Sequence, residues 1–144
     1  MVKANPSTIA LKGPTRYDDG VAGGAITPGH LIDIDDLSAI VVEGTGDKKQ
    51  STAFALEYDL IGNGIDDAYV SGDRVKFGLF QPGEEVYALV ADGTAAIALG
   101  ASLTGSDDGT LKPTVTAGDE IAQALEAVDN SAGGAPVRIK VRIL

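Results

Sequence analysis

VRIKVRIL, Val137–Leu144, ends the chain and decides its class. Val137, Ile139, Val141 and Ile143 alternate with Arg138, Lys140 and Arg142. Strict alternation over this length marks a strand with one apolar and one polar face. The three cations form an exposed row, suited to pairing with acidic neighbours in the same chain or in a second subunit. Upstream, Arg74–Phe80 (RVKFGLF) puts Val75, Phe77 and Leu79 on one face, and Glu85–Ala91 (EVYALVA) is apolar on both, as in a strand covered on two sides. Ser51–Tyr58 places Phe54 and Leu56 together. Leu31–Ile34 and Ala39–Glu43 make an early pair around Asp35-Asp36. Thr110–Val115 contains Pro113, which predicts an edge strand.

One local pattern joins these segments. A Gly is followed three residues later by an aliphatic residue in PGHLI (Gly29, Ile32), SGDRV (Gly72, Val75), PGEEV (Gly83, Val86), LGASL (Gly100, Leu103) and AGDEI (Gly118, Ile121). Glycine supplies the positive φ of a tight turn, and the apolar residue then enters a strand facing the core. The irregular spacing excludes a solenoid repeat. Many short strands joined by Gly turns predict an all-β domain. Glu120–Asp129 (EIAQALEAVD) stays ambiguous on its residues: Ile121, Leu125 and Val128 recur at helical spacing, yet alternate residues could line a strand. Gly44–Thr52 (GTGDKKQST) mixes residues of a phosphate loop without its spacing and is read as a hairpin tip.

Composition limits the function classes. The 144 residues suit one domain. Without Cys there is no disulfide or thiolate chemistry, and a single His excludes a multi-histidine metal site within one chain. No apolar stretch reaches membrane-spanning length, and MVKANPSTIALKG lacks the apolar run of a secretory signal. The net charge of −10 argues against nucleic acid as a partner. That charge is unevenly placed. Lys3, Lys12 and Arg16 give the first sixteen residues +3 with no acid, which leaves −13 on the remainder. Uncharged Gly20–Pro28 (GVAGGAITP) follows, as a flexible connection would. Residues 1–20 are therefore read as an extended arm and 21–144 as the folded body. Ile9 and Leu11 alternate with polar neighbours, so the arm can add a strand to a partner.

Catalytic patterns are sparse. Four Asp-Asp pairs (18–19, 35–36, 66–67 and 107–108) have the oxygen ligands of a hard cation but no EF-hand spacing, and are read as acidic turns. NGIDDAYVSG (Asn63–Gly72) is similar to the Gly-Ile-Asp…Tyr motif of trimeric dUTP pyrophosphatases, which would give Asp66 and Tyr69 roles in water activation and nucleoside stacking. The following Gly is displaced by one residue and the phosphate loop of that family is missing. Tyr17, Tyr58, Tyr69 and Tyr87 are candidates for a carbohydrate platform in a small binding module.

A broader resemblance covers most of residues 21–144. FALEYDLIGNGIDDAYVSGDRVKFGLFQPGEEVYALVADG (Phe54–Gly93), AITPGHLI (Ala25–Ile32), ALEAVDNS (Ala124–Ser131) and the closing RIKVRIL together resemble the head decoration, or cement, proteins of tailed bacteriophages. The resemblance implies a small β-barrel or β-tulip-like body, with ALEAVD as a strand. It also implies a non-enzymatic structural protein without cofactor or metal. Its place would be the virion, on the outer capsid surface, and its partners the major capsid protein and itself as a homotrimer. On this reading Val2, Lys3, Ile9, Leu11, Lys12 and Arg16 form the capsid-binding arm, and Arg138, Lys140 and Arg142 a subunit-interface row.

Overall fold

All five Gly positions of the recurrent pattern turn the chain as expected. In the computed structural model, which describes residues 5–44 and 52–144, Gly29, Gly72, Gly83, Gly100 and Gly118 have φ between 85° and 100°. In each turn the residue after Gly donates its N–H to the carbonyl three positions back: His30 to Thr27, Asp73 to Val70, Glu84 to Gln81, Ala101 to Ala98 and Asp119 to Thr116. The aliphatic residues that follow (Ile32, Val75, Val86, Leu103 and Ile121) are all buried. Three of these turns, and the separate turn Gly64–Asp67, carry a second clasp made by the side chain at the fourth position. The N–H of Thr27, Gly64, Val70 and Gln81 donates to His30 Nδ1, Asp67 Oδ2, Asp73 Oδ2 and Glu84 Oε1 respectively. Each clasp satisfies a backbone donor the sheet leaves unpaired.

The strands in chain order are β1 (Ala10–Lys12), β2 (Arg16–Val21), β3 (Ile32–Asp33), β4 (Val41–Val42), β5 (Ala53–Ala55), β6 (Arg74–Leu79), β7 (Glu85–Val90), β8 (Ser102–Gly105), β9 (Leu111–Pro113), β10 (Ala122–Ala124) and β11 (Val137–Ile143). The fold is all-β; the described residues contain no α-helix, only a 3-10 turn at Asp59–Ile61. β7, β11, β10, β8 and β9 form a barrel, closed where Val90 of β7 pairs in parallel with Leu111 of β9. β1 adds antiparallel to the outer edge of β7. A second sheet runs β2-β6-β5, and β3 pairs with β4 as a ribbon.

Two cores result. The barrel core holds Val86, Val90, Leu103, Leu111, Ile121, Ile139, Val141 and Ile143 among others. The second, between the three-stranded sheet and the ribbon, holds Ile26, Ile32, Ile40, Val75 and Phe77. β5 separates them: Phe54 faces the barrel, edge-to-face with Phe80 at 5.7 Å, while Ala53 and Ala55 face the second core. In β6, Gly78 is required because a Cβ there would lie 2.3 Å from Pro14 Cγ.

Several expectations need correction. The segment read as a free arm is woven into the body. β1 and β2 are strands of the two sheets, Ile9 is fully buried, and Ile9 O accepts from Tyr87 N. The strand that Ile9 and Leu11 predict does form, but it is added to the chain's own β7. Gly20–Pro28 is not a flexible connection either: Val21, Ala22, Gly23 and Ile26 all donate backbone hydrogen bonds, and Ile26 is buried. Gly20 serves close packing, since a Cβ there would meet Ile40 Cδ1 at 2.5 Å. β9 is no free edge, because it closes the barrel, and Pro113 ends it. Glu120–Asp129, ambiguous on its residues, contains strand β10, because pairing to both β11 and β8 outweighs helical propensity. The loop Gly44–Thr52 joins strands that pair elsewhere, β4 with β3 and β5 with β6, so it is not a hairpin tip; residues 45–51 lie outside those described.

Candidate functional site

The predicted arm residues do not assemble into one surface. Ile9 is in the barrel core and Leu11 packs against it. Lys12 reaches back to Glu85, with Nζ 2.9 Å from Oε2. Arg16 starts β2 opposite Leu79 and is exposed. Val2 and Lys3 lie outside the described residues.

The β11 row divides. Arg138 turns inward, its side chain only 12% exposed, and ties three segments together. Its Nε and Nη2 donate to Pro28 O at 3.2 and 3.1 Å, Nη2 also donates to Ile65 O, and Nη1 donates to Asp66 Oδ1 at 2.8 Å. The planar guanidinium makes this fork possible, where an ammonium would act as a single point. Lys140, opposite Tyr87, and Arg142, opposite Glu85, remain on the outer face of the barrel. Neither makes an ion pair among the described residues.

Above Arg138 lies an open groove of about 840 Å³, walled by residues 5–7, 64–67 and 136–138 and floored by Tyr87 and Leu89. Burial raises the Tyr87 phenol above its ordinary value, and the Glu126 carboxylate adds to this. A smaller depression beside it holds His30, the chain's one histidine. Burial lowers the His30 pKa from its ordinary value; Asp108 opposes the shift and Arg138 reinforces it. Nδ1 accepts from Thr27 N–H, so the neutral ring carries its proton on Nε2.

The acidic pairs act as turn caps. Asp36 Oδ1 accepts from the amide and hydroxyl of Ser38, which holds its carboxyl below the usual range. Asp108 Oδ1 accepts from the amide and hydroxyl of Thr110. Asp19 pairs with Arg74 and Asp66 with Arg138. No cluster of three or more potential ligands occurs among the described residues. The nucleotidase-like match fails at Tyr69: its ring is buried and its hydroxyl donates to Leu56 O, so it presents no stacking face. Burial pushes that phenol up to about 12. The four tyrosines do not form a platform either: Tyr69 and Tyr87 are buried, and Tyr58 shares one depression with Tyr17 and a separate one with Tyr69.

One feature escapes the sequence reading. Leu60 and Ile61, on the 3-10 turn, are 82% and 68% exposed. The turn is held firmly: Ile61 and Asn63 donate to Tyr58 O, Gly62 closes it at φ 84°, and Asp59 pairs with Lys76 at 3.3 Å. Two depressions flank it, one lined by Tyr17, Tyr58, Leu60 and Lys76, the other by Tyr58, Ile61, Asp73 and Arg74. Lys76 Nζ also lies 5.6 Å from the centre of the half-exposed Tyr17 ring. The available signal was a Leu-Ile pair set directly before Gly-Asn-Gly, where no strand can bury it.

No known family matches the sequence, and no curated protein matches it. The fold has a match among solved structures. The head fiber gp8.5 N base of bacteriophage phi29 superposes with a TM-score of 0.56, over 90% of this chain and 97% of that one, at 16% identity. At that identity the likeness is one of fold.

Proposed function

We propose that this chain is a non-enzymatic structural component of a tailed-phage head, bound to the outside of the shell as a homotrimer and stabilising it. The observation that carries the reading is the near-complete overlap with the phi29 head fiber base, in which almost all of both chains participates. The decoration-protein resemblance of Phe54–Gly93 and the closing strand points the same way. An acidic surface suits a protein displayed in many copies facing solvent. The integration of residues 9–21 into the sheets changes the proposed mechanism of attachment. Lys12 and Arg16 would meet the major capsid protein from fixed strands, so docking needs little ordering of chain. Three copies bound at once would raise the affinity of a weak single contact by about 10²–10⁴.

The test is to mix purified protein with expanded, undecorated heads of its phage and image them by cryo-electron microscopy. Threefold-symmetric density above local threefold positions is the expected result. Bare shells at saturating protein would overturn the reading.

A further inference from the structure

Two surfaces described above lack partners of complementary kinds. The first is the patch around the 3-10 turn: exposed Leu60 and Ile61, the Tyr17 ring beside them, and a mixed rim in which Arg74 and Lys76 pair with Asp19 and Asp59 while Asp18 and Asp73 leave it acidic on balance. Exposed apolar groups on a rigid support, ringed by charge, have the anatomy of an interface centre. The second is the outer face of β11, where Lys140 and Arg142 stand without an ion pair among the described residues, in a chain of net charge −10. Cations without an ion pair on so acidic a molecule complement the acids of a second copy.

We propose that the patch of one copy seats against the outer face of β11 in the next, with Leu60 and Ile61 at its centre and the acidic rim meeting Lys140 and Arg142. The inference rests on the trimeric reading above and supplies its contact. Because two different surfaces meet, the contact is head-to-tail, and the trimeric reading requires its rotation to close as a ring of three. It accounts for two adjacent apolar side chains, among several that the fold leaves exposed, and it gives part of the predicted cation row an intermolecular role while Arg138 keeps an internal one.

The experiment uses two full-length double variants, Leu60→Ser with Ile61→Ser and Lys140→Glu with Arg142→Glu, examined by sedimentation. All four positions avoid both cores. Each variant alone should associate roughly thirtyfold more weakly than the wild type, the effect of losing an interface centre. Mixed together they should form a one-to-one dimer, since each brings one intact half, and this recovery also shows that both are folded. Trimeric variants would overturn the contact while leaving the trimer standing. Weakened variants that fail to recover on mixing would overturn the pairing of these two surfaces. A monomeric wild type would overturn the trimer and the contact with it, leaving head binding to the imaging test.

Discussion

Replacing Arg138 by Met tests whether this residue is an internal tie or part of a surface row. Methionine keeps an unbranched apolar stem of similar reach and removes every guanidinium hydrogen bond. The magnitude follows from what each bond serves. Asp66 is 89% exposed, so its ion pair contributes at most about 1 kcal/mol. The carbonyls of Pro28, which is buried, and Ile65, which is half-buried, lose charged donors worth about 1.5–3 kcal/mol each when well formed. Water reaching into the groove would recover part of this, leaving a net loss of about 3 kcal/mol. For a chain of 144 residues that lowers the melting midpoint by about 6–12 °C. The assay is thermal unfolding followed by circular dichroism at one fixed protein concentration, because assembly shifts apparent stability. Asp66→Ala is the control, with an expected loss below about 1 kcal/mol. A midpoint for Arg138→Met within about 2 °C of wild type, or an equal loss from Asp66→Ala, would refute the argument.

Four further outcomes are expected. Ile9→Ala should cost about 3 kcal/mol in urea unfolding, since it empties a fully buried site, and removing residues 1–16 should unfold the body rather than only weaken attachment; a native melt for the truncated chain would restore the free arm. His30 has a folded-state pKa below its ordinary 6.5, so the unfolded chain takes up the proton first as pH falls. Its contribution is complete above about pH 6.5 and fades below it. The stability gap between wild type and His30→Asn should therefore narrow from about pH 7.5 to about pH 5.5, and a constant gap in urea midpoints would contradict this. Gly83→Ala, at φ 92° with open space around it, should cost only the left-handed strain of about 1–2 kcal/mol. Gly109→Ala should cost clearly more, because its Cβ would lie 2.7 Å from Val42 Cβ and 2.9 Å from Leu31 O; equal midpoints for the two variants would show that the loop yields.

Legibility in the sequence followed the range of the interactions. The Gly turns and the alternation of β6, β7 and β11 depend on residues a few positions apart, and the structure reproduces them. β10 was ambiguous because its strand character comes from Leu103 and Ile143, which lie far along the chain on either side. The arm was misread because charge reports neither packing nor pairing: Lys3, Lys12 and Arg16 suggested a docking segment, and the strand that Ile9 and Leu11 indicate was assigned to a partner although Ile9 is buried in the chain's own core. Arg138 gave no sign of its role, since its partners lie 72, 73 and 110 positions away. The decoration-protein resemblance favoured extended backbone over helix around β10 but placed the strand at ALEAVD, whereas β10 ends at Ala124 and only a single bridge, Val128 to Ile97, follows.

The triplet Ala53-Phe54-Ala55 has a consequence for how the molecule comes apart. A wall common to two apolar interiors cannot be withdrawn from one while it stays in the other. Loosening the ribbon side releases Ala53 and Ala55 and takes Phe54 from Phe80 in the same motion. The two interiors therefore share one melting event, and neither serves as a refuge when the other is lost. Three consecutive residues set the cooperativity of the whole.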